Sequence, residues 1–331
     1  MTTNKKRVLY TDSMGRAGID ILKKRDDVEA IPFPYLLTGP EYQDLLKKHA
    51  PVAAVILGGT RFGEAEHAAS GALQVVARTG VGYDAIDIPA MTKRKIPVMI
   101  AGTANSPSVA EHAMYFMLML ARKGPELSAL VKENRWKQRL EPRFVSNDMF
   151  EKTVLIVGFG RIGTRTAKRC QAMEMQVLIY DPYVKPEVIK AAGCEPVTNL
   201  DDAIPRADFI TIHCPKTTET VGMINAQRMA KMKPTAYLVS TARGGIVDEK
   251  ALHAALTSGQ LPAAALDVFD REPPDPENPL FKLPNLICSP HIAGVTAESM
   301  ERMAAQAAEC VLSVFDGKPR KENAVNPEVF G

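Results

Sequence analysis

Through the first third of the chain, short apolar runs alternate with segments in which apolar positions recur every three or four residues. The runs fall at residues 7–10, 29–31, 53–57, 74–77 and 98–100. Each is too short for a helix and is bounded by polar or turn-forming residues, so the runs predict strands and the segments between them predict crossover helices of a parallel sheet. A helical pattern then covers 109–122, opened by Ser106-Pro107-Ser108, whose residue types suit N-terminal cap positions, and a further helix is expected to end near Trp136. Strand-like runs resume at 153–157, 176–180, 209–212, 236–239, 263–266 and 286–287, which predicts a second doubly wound sheet. Residues 273–279 are loop by their prolines, and 296–315 have the spacing of one long helix. Periodicity alone leaves the boundary between the two sheets anywhere from residue 102 to residue 152.

Two sheets need two cores, and 331 residues exceed the ~100–200 of an ordinary single domain. With 46% hydrophobic and 24% charged residues, the balance is that of a globular protein rather than a disordered one. The formal charge of +3 is spread over interspersed acids and bases, so no basic block invites nucleic acid or an anionic membrane, and a small-molecule partner is expected instead. The longest apolar stretch, 113–121, is well short of the ~20 residues of a membrane helix. The polar, basic residues 1–7 are followed only by the short run 8–10, so no secretory leader is expected. Cys170, Cys194, Cys214, Cys288 and Cys310 are odd in number and never form a Cys-x-x-Cys pair, which predicts a reducing, cytoplasmic setting and no metal site.

The first specific chemistry follows the strand at 153–157. There Gly158-Phe159-Gly160-Arg161-Ile162-Gly163 leads into a helical pattern over 164–173, the spacing of a dinucleotide turn. The first glycine permits the tight turn, the second admits a pyrophosphate to the backbone, the third lets helix and strand pack closely, and the helix N-terminus attracts the anion. Alone, the turn also fits a structural glycine loop or a methyltransferase that binds another adenosine ligand. Asp181, closing the next strand eighteen residues after Gly163, supplies the ribose-binding acid expected ~20 residues on. A carboxylate there accepts from ribose hydroxyls and repels a 2′-phosphate, so NAD is expected over NADP, with Arg161 and Lys185 as cations able to soften that preference.

Three later segments complete the constellation. They are Ser240-Thr241-Ala242-Arg243-Gly244-Gly245-Ile246-Val247-Asp248, then Leu266-Asp267-Val268-Phe269 with Glu272-Pro273, then Ser289-Pro290-His291-Ile292-Ala293-Gly294. With the glycine turn, in this order, they closely resemble the D-isomer-specific 2-hydroxyacid dehydrogenase family over nearly the whole chain. Reducing a 2-keto acid requires a cation for its carboxylate and carbonyl and a proton donor for the developing alkoxide. Arg243 offers a permanent forked donor, His291 a proton exchanged near neutral pH, and Glu272 a partner for the other ring nitrogen that favours the imidazolium. The resemblance implies these same three catalytic roles and assigns Asp267 to the nicotinamide carboxamide. It also implies that Cys214, Thr241, Ala242 and Gly294 line the cofactor with Gly158, Gly160, Arg161, Ile162 and Gly163. Singly, Arg243 also fits a turn cap, Glu272 a solvated loop charge and His291 a satisfied histidine. Cys214, in His213-Cys214-Pro215, is no nucleophile candidate, because hydride transfer needs no covalent intermediate.

The segment Arg78-Thr79-Gly80-Val81-Gly82-Tyr83-Asp84 looks like the family's substrate loop, in which Gly80, Val81 and Gly82 present backbone N–H groups to a carboxylate. An ordinary β-to-α turn would share that composition. The resemblance implies an α/β protein of two doubly wound parallel-sheet domains, a discontinuous flavodoxin-like substrate domain (1–103 and 295–331) and a Rossmann NAD domain (104–294). It further implies closure that brings 80–82 toward Arg243, and a homodimer formed through 105–150. The substrate is then a small D-2-hydroxy or 2-keto acid such as hydroxypyruvate or glyoxylate. Glu272 argues against formate dehydrogenase, which pairs its histidine with glutamine. An NAD-sensing co-repressor of the same superfamily is the alternative of a different class, separable by turnover of NADH with 2-keto acids. Phosphoglycerate dehydrogenases tend to carry arginine where this chain has Leu57, which disfavours phosphoglycerate, while Arg61 reads slightly more readily as a solvated loop arginine than as the partner of a second anionic group.

Overall fold

A computed structural model describes residues 5–331. The first four residues of the expected substrate domain, and of the expected basic start, lie outside the described residues. By internal contact the chain divides into one unit made of Met1–Asn105 with Val295–Gly331, and a second made of Ser106–Gly294.

In the first unit, β1 (Lys6–Thr11), α1 (Arg16–Lys23), β2 (Val28–Phe33), α2 (Gly39–His49), β3 (Val52–Leu57), α3 (Glu64–Ser70), β4 (Gly71–Arg78), α4 (Ile88–Lys93) and β5 (Val98–Met99) follow in turn. The strands pair in parallel in the order β2-β1-β3-β4-β5, the flavodoxin order. Every residue of β3 is buried, because helices cover both faces of the sheet. Within that continuous apolar run the faces still alternate: Ala54 and Ile56 join one core with Val8 and Val75, while Val55 and Leu57 join the other with Leu9 and Val76. The long helix at the far end of the sequence, capped by the Thr296 side chain, closes the first of these cores through Ala304, Ala307 and Ala308. It lies so close to α1 that a Cβ on Gly18 would sit 2.3 Å from the Ala304 carbonyl oxygen. Its Glu301 carboxylate accepts from the N–H groups of Arg16 (3.1 Å) and Ala17 (2.6 Å), which start α1 without a side-chain cap of their own.

The second unit opens with α5 (Ser106–Arg122) and α6 (Gly124–Lys132) and continues through β6 (Thr153–Val157), α7 (Gly163–Ala172), β7 (Gln176–Tyr180), α8 (Pro186–Ala191), β8 (Glu195–Val197), α9 (Leu200–Ala203) and β9 (Phe209–Ile212). It ends with α10 (Ala226–Ala230), β10 (Tyr237–Ser240), α11 (Glu249–Thr257), β11 (Ala263–Leu266) and β12 (Leu286–Cys288), and the capping helix of the first unit is α12 (Ala297–Phe315). The seven strands of this second unit run parallel in the order β12-β11-β10-β9-β6-β7-β8, a Rossmann sheet whose strand order reverses between β6 and β9.

Ser106, Pro107 and Ser108 open α5, with Pro107 in the first turn, where a missing N–H has no helical partner to lose. Two local expectations need correction. The helix expected to end near Trp136 ends at Lys132. Asn134 turns the chain left-handed (φ 56°), Arg135 donates its N–H back to the Leu130 carbonyl at 2.7 Å, and Trp136 starts a separate 3-10 turn. β8 has no counterpart among the expected strands. It contains Pro196 and begins with Glu195, residues that a sheet accepts at its edge, where no neighbour needs the absent N–H.

Candidate active site

The glycine turn lies between β6 and α7, at the reversal of strand order where doubly wound sheets bind ligands. Each glycine answers a different constraint. Gly158 has φ +99°, and a Cβ on it would meet the Cys214 nitrogen at 2.7 Å, so the turn packs on the His213-Cys214 peptide that follows β9. A Cβ on Gly163 would lie 2.0 Å from the Gly158 carbonyl oxygen, whereas one on Gly160 would meet nothing within 4 Å, leaving backbone open at that point. Ile162 is the N-cap residue of α7, and Arg161 is exposed. Asp181, just past β7, is fixed from two sides: Oδ2 accepts from the Phe159 N–H (2.7 Å) and Oδ1 from the Tyr183 N–H (2.9 Å). These contacts hold a partly exposed carboxylate beside the turn while leaving lone pairs free for hydroxyl donors. Across the sheet, beyond β10, the Thr241 hydroxyl is buried without a hydrogen-bond partner. An open Gly160, an anchored Asp181 and an orphaned Thr241 hydroxyl together fit a dinucleotide.

Beyond the ends of β10 and β11, Arg243, Glu272 and His291 converge. Glu272 Oε2 lies 2.6 Å from His291 Nδ1, and its Oε1 accepts from the Phe269 N–H at 3.1 Å. Burial works to raise the Glu272 carboxyl. The hydrogen bonds from His291 and Phe269, with the charges of His291 and Arg243, outweigh it and hold the group below the usual carboxylate range. Arg243 Nη1 donates to the Ala242 carbonyl at 2.8 Å. Its loop comes close because Gly244 has no side chain: a Cβ there would lie 1.8 Å from the Phe269 carbonyl oxygen.

His291 has φ +51°, a left-handed conformation uncommon for a residue with a side chain and sustained only when its surroundings enforce it. Asp267 does the enforcing. It is completely buried; its carbonyl accepts from the His291 N–H (2.8 Å), Oδ1 accepts from the Ile292 N–H (2.8 Å) and the Ser289 hydroxyl (2.5 Å), and Oδ2 accepts from the Ala293 N–H (2.9 Å). The residue expected to face the cofactor therefore spends three hydrogen bonds from its carboxylate on the turn that carries the histidine. Ser289 and, through it, His112 on α5 were not singled out from sequence (His112 Nε2 to Ser289 Oγ, 3.0 Å). A lone histidine in the apolar helical run 109–122 was the one available signal.

His213 points into the protein. Its Nε2 pairs with the Thr211 hydroxyl at 3.0 Å, its Nδ1 is buried without a partner, and burial pushes the imidazole down to about 3, so it is neutral. Burial likewise pushes the Cys214 thiol up to about 11, far from the thiolate a nucleophile needs. All five cysteines are free. Gly80, Val81 and Gly82 belong to the other unit, where they follow β4 and are half-buried. In that unit Leu57 is completely buried in the core, whereas Arg61 is exposed. No helix among the described residues is long and apolar enough to cross a membrane.

Residues 114–293 match the family model described as D-isomer specific 2-hydroxyacid dehydrogenase, NAD binding domain. The D-3-phosphoglycerate dehydrogenase of Archaeoglobus fulgidus is 39% identical over 322 residues, which are 97% of this chain and 59% of that protein. The chain thus spans little more than half the length of such curated relatives. Among solved structures, a protein from Thermus thermophilus superposes with a TM-score of 0.85 at 32% identity, covering 96% of this chain and 99% of that one. A D-lactate dehydrogenase from Aquifex aeolicus, solved with NAD and lactic acid, superposes with a TM-score of 0.81 at 30% identity, with 96% and 99% covered. With its glycine turn, its converging arginine, glutamate and histidine, and a family match over more than half its length, this chain belongs to the D-isomer-specific 2-hydroxyacid dehydrogenases and carries their NAD-binding domain.

Proposed function

We propose that the chain is an NAD-dependent oxidoreductase acting on C2 of a small D-2-hydroxy acid or its 2-keto partner. The observation that carries this reading is the Glu272–His291 pair at 2.6 Å, set with Arg243 in the same unit as the dinucleotide turn. NAD, when bound, accepts or supplies the hydride. Arg243 binds the carboxylate and polarises the carbonyl through its forked donors. With Nδ1 turned to Glu272, His291 has Nε2 left to exchange a proton with the substrate oxygen. It gives the proton in reduction and takes it in oxidation. Asp181 receives the ribose hydroxyls, and Gly158, Gly160, Arg161, Ile162 and Gly163 cradle the pyrophosphate. Cys214, Thr241, Ala242 and Gly294 line the rest of the cofactor path, and Asp267 holds its nicotinamide end through the His291 turn.

In this reading Ser106–Gly294 is the NAD domain, and the other unit is the substrate domain, whose Gly80-Val81-Gly82 segment offers N–H groups to the substrate carboxylate. Hydroxypyruvate and glyoxylate are the substrates we favour, with Arg61 available to a second anionic group. Leu57 supports leaving phosphoglycerate behind them, because it sits in the core instead of offering a charge. Exposed apolar side chains in one stretch, including Trp136 (59%) and Leu140 (76%), support a homodimer through 105–150. Unpaired thiols fit the cytoplasm.

The test is turnover of NADH, and separately NADPH, with glyoxylate, hydroxypyruvate, pyruvate and phosphohydroxypyruvate. NADH oxidation by glyoxylate or hydroxypyruvate is expected, and dependence on Arg243 should follow. Absence of turnover with all four would overturn the enzymatic reading and favour the cofactor-sensing alternative.

A further inference from the structure

His112 stands on α5, far in sequence from the turn at 289–293. Its Nε2 lies 3.0 Å from Ser289 Oγ, and that hydroxyl lies 2.5 Å from Asp267 Oδ1. A carboxylate only accepts, so the hydroxyl hydrogen goes to Asp267 and the serine oxygen must accept from His112. Nε2 of His112 therefore carries the hydrogen. The direction of every bond in the chain is thereby fixed: imidazole to hydroxyl, hydroxyl to carboxylate, and backbone N–H groups of Ile292 and Ala293 to the same carboxylate.

The surroundings keep His112 in that role. Burial lowers its affinity for a second proton against the opposing pull of Asp267, so the ring is neutral and its tautomer is set by Ser289. The ring of Phe116 meets it edge-on at 4.4 Å and that of Tyr115 lies at 5.5 Å. On the neighbouring α7, the Arg165 and Arg169 guanidinium groups are directed at Ser106 and Glu111, leaving Asp267 as the charge His112 addresses.

We propose that His112 is a positioning residue for His291, acting through the Ser289 hydroxyl and the Asp267 carboxylate to hold the turn that carries the catalytic ring. The catalytic half of this inference rests on the proposed function of His291; the structural half does not. Without His112, Ser289 loses the donor that orients its hydroxyl, and Asp267 keeps a less well-directed partner. The amides of Ile292 and Ala293 are then held less firmly, and the left-handed turn at His291 samples other conformations.

The full chain would be prepared as wild type, His112→Phe, His112→Gln, Ser289→Ala and the His112→Phe/Ser289→Ala double variant. Two measurements apply: amide hydrogen exchange over 289–293, and kcat with NADH and whichever 2-keto acid the wild type reduces fastest. Exchange at Ile292 and Ala293 should quicken in His112→Phe and be restored by His112→Gln, whose amide N–H can reach Ser289. The kcat should drop by up to about tenfold in His112→Phe, on the scale of one hydrogen bond between neutral groups, and largely recover in His112→Gln. The double variant should be no slower than Ser289→Ala alone, because His112 acts only through that hydroxyl. Losses that multiply, a glutamine as poor as phenylalanine, or unchanged exchange at 292–293 would each overturn the proposal. If His291→Asn leaves turnover intact, the proposed function fails instead, and the exchange data still decide whether His112 holds the turn.

Discussion

Glu272 answers to two neighbours at once. One oxygen keeps the Phe269 N–H while the other meets His291, and the partnership holds its own carboxyl below the ordinary range. It therefore remains charged across neutral pH. If the proposed function holds, the charged carboxylate is the form that orients the ring, so kcat/KM should stay level down through the ordinary carboxylate range and fall only below it. Glu272→Gln keeps a hydrogen-bonding group but removes the charge, so kcat/KM should be lower at neutral pH and that acid limb should vanish. Profiles of kcat/KM against pH for wild type and variant would show this, and an acid limb that persists unchanged in the variant would contradict it. Arg243, Glu272 and His291 were legible as residue types in a fixed order, because the chemistry needs a cation, an anion and a proton carrier. The burial of Asp267 was not, since nothing in Leu266-Asp267-Val268 tells which side chain will be turned beneath a loop more than twenty residues later.

Strands and helices are legible where both sheet faces are covered, because burial on both sides writes a continuous apolar run. β3 is the clearest case and β8 the failure: an edge strand with a proline carries none of that pattern. The dinucleotide turn lies between these extremes, since its spacing is visible but its division of labour is not. Gly163→Ala should force α7 away from β6, because the new methyl has no room before the Gly158 carbonyl. A loss of about 1–3 kcal/mol in stability is expected from such overpacking, seen as a lower Tm. Gly160→Ala has space in the free protein, so its Tm should match wild type while its NADH Kd rises by about tenfold, the scale of one missing charge-assisted hydrogen bond. If calorimetry and NADH titration gave the reverse pairing, the roles assigned to the two glycines would be wrong.

At the scale of the whole molecule, periodicity carried two parallel-sheet halves but left their boundary open, and only the family resemblance put it near residues 103 and 294. Periodicity does not record which helix a sheet will borrow from a distant part of the chain. Contacts divide the protein between Asn105 and Ser106 and again between Gly294 and Val295. The proposed association of two copies belongs to this scale too. If it runs through the exposed apolar side chains of 105–150, Trp136→Glu combined with Leu140→Asp should convert the dimer into a monomer in sedimentation, with each half still folded, because both side chains are exposed in the single chain. A wild-type protein that already sediments as a monomer would end that expectation.

Helix α12 also governs the order in which the protein can be made. Synthesis runs from the N-terminus, so β1 to β5 leave the ribosome long before Ala297–Phe315 exists. Until then one face of that sheet lacks Ala304, Ala307, Ala308, Cys310 and Val311, and α1 lacks the carboxylate of Glu301 at its start. The Rossmann unit, whose residues are contiguous, can be completed first. The unit whose strands come first along the chain is thus the one completed last, and it waits with an apolar face uncovered, where a nascent-chain chaperone has most to protect.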